Sequence, residues 1–162
     1  MITWVKKDGF ANAKKRYNNA QESILFYSMH SKNYTFNADD IRIPYESTKR
    51  IKHAQTKGIL KNNKRWFPNP KGKLCLDVWE ITSQRHVEKK NGKIIKPKHP
   101  SIKPKTLIER IIKASSNEND VVLDLFSGSG MISLVAKELN RNFIGCELNK
   151  EYVHESLEIK EI

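Results

Sequence analysis

Apolar positions recur at helical spacing late in the chain and at strand spacing in a few shorter runs. After Pro104, well placed near a helix start, Leu107, Ile108, Ile111, Ile112 and Ser115 fall on one face at helical spacing. Asn117-Glu118-Asn119-Asp120 predicts a turn, and Val121-Val122-Leu123 a buried strand that ends at Asp124. Gly128 and Gly130 open a helix carrying Ile132, Leu134, Val135 and Leu139. Phe143-Ile144-Gly145-Cys146 predicts a second strand ending at Glu147, and Glu151 to Lys160 a last helix. Helix, strand, glycine turn, helix, strand, helix is one parallel βαβ unit of a Rossmann-like sheet.

The rest of the chain is less regular. Ile2-Thr3-Trp4-Val5 and Ile24-Leu25-Phe26-Tyr27 have strand length, with a polar loop at Lys14-Lys15-Arg16-Tyr17-Asn18-Asn19 between them. Residues 38–98 show little periodicity and hold Pro44, Pro68, Pro70 and Pro97. Only Leu74-Cys75-Leu76-Asp77-Val78-Trp79 alternates well enough there to predict a strand. The reading is an α/β chain with a partial Rossmann-like sheet and a basic, loop-rich insertion. It has three parts: strands in 1–37, the insertion in 38–98 and a cofactor-type βαβ unit in 99–162.

Charge sharpens that division. The net charge is +12, yet residues 42–105 alone hold 18 Lys or Arg against 4 Asp or Glu, a balance of +14. Residues 106–162 carry −4, from 6 basic and 10 acidic residues. A basic block of this density favours a polyanion, because each Lys or Arg beside a phosphate releases condensed counterions. Lys49, Arg50, Lys52, Lys64, Arg65 and Trp66 are the candidates for contacting it. No apolar run is long enough to span a bilayer, and Met1-Ile2-Thr3-Trp4-Val5-Lys6-Lys7 has no secretory pattern. Cys75 and Cys146 are isolated and read as reduced thiols of a cytoplasmic protein. His53, His86 and His99 lack metal-site spacing, and His30 and His154 stand alone, so no metal is assigned.

The candidate chemistry lies in Asp124-Leu125-Phe126-Ser127-Gly128-Ser129-Gly130, where a strand hands over to a helix. Glycines let the backbone turn sharply, and a helix N-terminus offers free N–H groups to a ligand. Glu147, at the end of the next strand, can accept hydrogen bonds from both hydroxyls of a ribose, which marks an adenosine-containing cofactor. A phosphate-cradling loop would need lysine after the second glycine, and Met131 stands there. A dinucleotide fingerprint would need a third small residue three places after Gly130. Ser133 occupies that place, which leaves a nicotinamide or flavin reading open but weak. S-adenosylmethionine, which has no pyrophosphate, suits the loop better.

The loop, preceded by His99-Pro100-Ser101-Ile102-Lys103-Pro104 and Leu107-Ile108-Glu109-Arg110-Ile111-Ile112, resembles the DNA amino-methyltransferases. In their cyclically permuted β-type members these motifs follow the catalytic motif and the target-recognition region. Trp4-Val5-Lys6-Lys7 and Glu22-Ser23-Ile24-Leu25-Phe26 resemble the strands just before that region. The resemblance implies a cofactor pocket shaped by Phe126, Ser127, Gly128 and Gly130, with Asp124 at its base and Glu147 on the ribose. It also implies Ser101 and Lys103 near the methionine end, and 38–98 as the target-recognition segment. The sequence departs from the family pattern at Leu125, where proline is usual, at Ser101-Ile102, where Thr-Gln is usual, and at Met131-Ile132, where Thr-Thr is usual.

The family's catalytic motif, Asp, Asn or Ser followed by Pro-Pro and an aromatic residue, is missing. The chain contains no Pro-Pro pair, and Ile43-Pro44-Tyr45 lacks both the polar residue and the second proline. No catalytic residue is therefore assigned. Together with a strand at the first residues, this suggests a truncated frame, an excised domain or half of a split enzyme. The expected function is part of a restriction-modification DNA methyltransferase acting on the adenine, less readily the cytosine, amino group and inactive alone. Its expected partners are double-stranded DNA, a separate chain carrying the catalytic motif and a second copy in a homodimer. The competing readings are a non-catalytic DNA-binding module with a relic cofactor fold and a methyltransferase of RNA or protein.

Overall fold

The computed structural model describes residues 1–7, 13–84, 87–88, 94–95 and 99–160; His86 and Pro97 lie outside them. In chain order the elements are β1 (Ile2–Val5), β2 (Gln21–Ile24), α1 (Thr48–Lys57), β3 (Ile59–Lys61), β4 (Lys64–Trp66), β5 (Val78–Glu80), β6 (Val87–Glu88), β7 (Ile94–Ile95), α2 (Lys105–Ser115), β8 (Val121–Asp124), α3 (Met131–Glu138), β9 (Asn142–Gly145) and α4 (Lys150–Lys160). They form two compact units, one of Met1–Phe36 with Asp77–Ile162 and one of Asn37–Leu76. Among the described residues no helix is long and apolar enough to cross a membrane.

In the larger unit, β1 is the middle strand of a three-stranded sheet, antiparallel to β2 and parallel to β5. Trp4 on β1 pairs with Trp79 on β5, and both are buried. The Trp4 indole N–H donates to the Ile81 carbonyl at 2.8 Å, so its one polar atom is satisfied where it is buried. The Arg110 guanidinium of α2 lies 5.0 Å from the Trp79 ring centroid, and the Lys103 ammonium lies 5.5 Å from that of Trp4.

Glu22 on β2 accepts from Lys103 at 2.7 Å and also pairs with Lys6. Burial pushes its carboxyl up, but these two ammonium groups outweigh it and hold the pKa below the ordinary 4.5. A depressed carboxyl pKa adds stability that is present above 4.5 and lost as pH falls through the folded value. Glu22→Gln should accordingly lower the melting temperature at pH 7, with the gap to wild type closing below pH 4.5. A gap that is the same at both pH values would show that the charge of Glu22 contributes nothing.

The parallel pair β8 and β9 is joined through α3. Val122 and Phe143, which face each other across it, pack on a core of Ile102, Ile108, Ile112, Met131, Val135 and Ala136. The opposite face is bare, with Val121, Leu123 and Ile144 60%, 59% and 56% exposed. Parallel sheets ordinarily have both faces covered, and burying each such side chain is worth about 1.5–3 kcal/mol.

The smaller unit has little apolar core; Ile41 and Ala54 are its buried hydrophobic residues among those described. Backbone geometry does more of the holding. Ile43 and Lys73 exchange backbone hydrogen bonds at 2.9 Å. Gly72, at φ +112°, leaves space for the Ile43 carbonyl, which an added Cβ would meet at 2.3 Å. Arg42 donates to Asp39 and to the Gly72 carbonyl.

Several elements differ from the expectation. α1 has no counterpart in the hydrophobic pattern, because Ala54 is its one buried residue and, apart from a half-buried Ile51, the rest is polar. In 74–79, Leu74, Leu76, Asp77 and Val78 are exposed, while Trp79 is buried and pairing starts only at Val78. β2 ends at Ile24, where the apolar run begins. Leu25 and Tyr27 are exposed, and Phe26 stacks edge-on against Tyr34 and Phe36. On α2 the buried residues are Leu107, Ile108, Ile112 and Ala114, and Ser115 faces solvent.

Candidate functional site

The glycine turn is built onto the ends of β8 and β9. The Cys146 N–H donates to the Asp124 carbonyl and the Ser127 N–H to the Cys146 carbonyl, both at 2.8 Å. The Asp124 carboxylate accepts from the Phe126 N–H at 3.1 Å, turning the chain off the strand. The Gly130 N–H then donates to the Ser127 carbonyl, and α3 begins at Met131. Phe126, 90% exposed, stands out from the turn with its ring free of the core.

Glu147 faces the same turn. One carboxylate oxygen accepts from the Gly128 N–H and the other from the Asn149 N–H, each at 2.8 Å. The Asn149 and Gly128 N–H groups hold its carboxyl below the ordinary 4.5 despite slight desolvation, with the Leu148 N–H and His99 adding to the effect. An anion is thus fixed beside the loop at neutral pH, and each oxygen keeps acceptor capacity for a hydroxyl donor.

The two glycines also make room for neighbouring side chains. Both have left-handed backbones, φ +49° at Gly128 and +73° at Gly130, but the space where a Cβ would stand is filled by protein. At Gly128 it is the His99 imidazole, with Nε2 at 2.6 Å; at Gly130 it is the Ser156 side chain on α4, with Cβ at 2.5 Å. His99 is itself held, since its Nδ1 accepts from the Ser101 N–H at 3.2 Å and its ring packs edge-on against Tyr152 of α4 at 4.8 Å. Ser101 therefore reaches the turn through His99, whereas the Lys103 ammonium is engaged by Glu22. His99, Tyr152 and Ser156 were not among the sequence candidates. The adjacency of His99 to Pro100 in the motif was a signal for the first, and nothing in α4 pointed to the other two.

In the smaller unit, Lys49, Arg50 and Lys52 are exposed on α1, and Lys64, Arg65 and Trp66 are exposed on β4. Of these, Arg65 is committed within the protein: its stem lies against Gly58, and its guanidinium donates to the Lys57 carbonyl.

A glycine turn between a parallel strand and a helix, with an acid at the tip of the next strand, is the ligand end of a Rossmann-like α/β sheet. A family model described as DNA methylase matches residues 1–158, and the chain belongs to that family. The type II methyltransferase M1.MboII of Moraxella bovis is 62% identical over 155 residues, which are 96% of this chain and 59% of that protein. The chain thus spans about three-fifths of the length of this relative. The crystal structure of an M1.HpyAVI–SAM complex superposes with a TM-score of 0.59 at 30% identity, over 98% of this chain and 59% of the other. The PvuII DNA methyltransferase (cytosine-N4-specific) gives a TM-score of 0.66 at 17% identity, over 96% of this chain and 48% of the other, a likeness of fold alone.

Proposed function

We propose that this chain is the cofactor-binding and target-recognition portion of a type II DNA amino-methyltransferase that uses S-adenosylmethionine. The observation that carries the reading is the contact between Glu147 and the Gly128 N–H, which holds a fixed carboxylate beside the glycine turn. Glu147 would take the ribose hydroxyls, and Phe126, Ser127, Gly128 and Gly130 would line the pocket above Asp124. Ser101 would serve the methionine end through His99, and Lys103 would support that end from its pairing with Glu22. The bound cofactor supplies an electrophilic methyl group on sulfonium. Its transfer to an adenine amino nitrogen releases S-adenosylhomocysteine and a proton. Residues 1–37 and 99–162 would build the methyltransferase sheet, and 38–98 would face double-stranded DNA.

The amino nitrogen's lone pair is delocalised into the base, so transfer requires groups that hold and polarise it. With no Pro-Pro-aromatic string in these 162 residues, that function would come from a segment outside them, on the same polypeptide or on a separate chain, in the permuted, β-type arrangement. The bare face of Val121, Leu123 and Ile144 is apolar surface for it to cover.

The test combines calorimetry with labelled methyl transfer. The chain alone should bind S-adenosylmethionine and duplex DNA without transferring label. With a polypeptide that supplies the missing motif, label should appear in N6-methyladenine. Label in N4-methylcytosine would move the assignment to cytosine, and turnover by the chain alone would overturn its dependence on a complement. Failure to bind either cofactor or DNA would sink the reading.

A further inference from the structure

The hairpin of β3 and β4 is built against its own stability at the tip. Lys61 and Lys64 lie directly opposite each other, a like-charge pair that disfavours the hairpin. Between them, Asn62 and Asn63 both have left-handed backbones, φ 50° and 57°, as a two-residue hairpin turn requires. Asparagine tolerates that region, but glycine enters it with less strain, and Asn63 stands where glycine is usual. All six strand residues, from Ile59 to Lys61 and from Lys64 to Trp66, are exposed.

The base of the hairpin is the opposite case. Gly58, at φ +69°, leaves room for the Arg65 stem, whose Cγ lies 2.5 Å from the place of a Cβ, and Arg65 ties back to the Lys57 carbonyl at the end of α1. The hairpin is thus stapled to a basic helix at one end and presents an unfavourable cluster of charge and strained amides at the other. Like charge and open asparagine amides kept together at one exposed point suit an anionic ligand that offsets the charge and pairs with the amides.

We propose that the tip Lys61-Asn62-Asn63-Lys64 enters the major groove of duplex DNA. Lys61 and Lys64 meet phosphates there, and the Asn62 and Asn63 amides read base edges. The inference rests on the DNA reading above. A two-stranded β-ribbon fits the major groove, phosphates turn the Lys61–Lys64 repulsion into attraction, and an asparagine amide matches the donor–acceptor pair on adenine. Arg65 acts as the staple that aims the hairpin.

The experiment selects sequences from a randomised duplex pool with the wild-type chain. It then compares the enriched duplex with a mixed-sequence duplex of equal length at fixed salt. Asn62→Gly/Asn63→Gly keeps the turn chemistry and should leave the melting temperature unchanged or higher. Affinity for mixed-sequence duplex should stay within about twofold, while preference for the enriched duplex falls by about tenfold or more. Lys61→Gln/Lys64→Gln should weaken binding to both duplexes equally and reduce the slope of log affinity against log salt by about 2. A glycine variant that retains full preference overturns the proposal. So does a wild-type chain that binds duplex but enriches nothing, an outcome that leaves the DNA reading standing. A wild-type chain that binds no duplex at low salt removes the DNA reading itself, and the inference with it.

Discussion

Replacing Gly128 with alanine should both destabilise the protein and remove most of its affinity for S-adenosylmethionine. Two independent penalties meet at this residue. A non-glycine residue at φ +49° costs about 1–2 kcal/mol of backbone strain. The new methyl group would also stand 2.6 Å from His99 Nε2. The imidazole cannot simply swing away, because the Ser101 N–H holds its Nδ1 and Tyr152 packs against its ring. Overpacking of that kind costs about 1–3 kcal/mol. The double variant Gly128→Ala/His99→Ala should recover the steric part and keep the backbone part, which a double-mutant cycle by chemical denaturation separates. A double variant no more stable than Gly128→Ala would mean that His99 is not what the glycine makes room for. A single variant with wild-type stability and affinity would remove the special role of this turn altogether.

Glu147→Ala is the second large effect, expected in binding more than in stability. The carboxylate organises its own surroundings through the Gly128 and Asn149 N–H groups and would offer its remaining lone pairs to the two ribose hydroxyls. Losing charged acceptors for two hydroxyls should weaken S-adenosylmethionine binding on the order of 100-fold, with Glu147→Gln roughly intermediate because it keeps one acceptor oxygen. Adenosine alone should lose affinity by a similar factor, since the contact concerns the sugar and not the methionine.

The pH profile adds a separate check. Because Glu147 titrates below 4.5, the charged acceptor is present throughout the neutral range and is lost only as pH falls through the depressed value. Affinity should therefore be flat from neutral pH down to about that point. Wild-type affinity in Glu147→Ala, or a steep fall of wild-type binding well above pH 4.5, would detach this carboxylate from the cofactor.

How far these sites could be read in the primary structure depended on whether local pattern and tertiary role coincided. They coincided across most of 105–145. The apolar stripe of α2 and the glycine break before α3 satisfy local preference and core packing at once, whereas β8 forms where expected but turns only Val122 to the core and leaves Val121 and Leu123 exposed instead of buried. The acid at the end of β9 was legible for the same reason, since strand ends and glycine turns have marked signals of their own. Basic density in the middle of the chain was visible because charge needs no fold to be counted.

Elsewhere the two parted. α1 buries only Ala54, so its helix leaves no apolar period to detect. Leu74, Leu76 and Val78 alternate like a buried strand yet face solvent, and Trp79 beside them is the residue that enters the core. Periodicity records which residues could share a face, not which face becomes covered. The glycines make the same point at atomic scale. Their presence in the turn followed from sequence alone, as did the bend they permit. That their missing side chains make room for His99 and Ser156, one before β8 and one on α4, was decided only when distant segments packed on a single loop. Local chemistry determined the βαβ unit and its turn; the partners of that turn, and the stapled hairpin with its exposed tip, came from contacts no local pattern encodes.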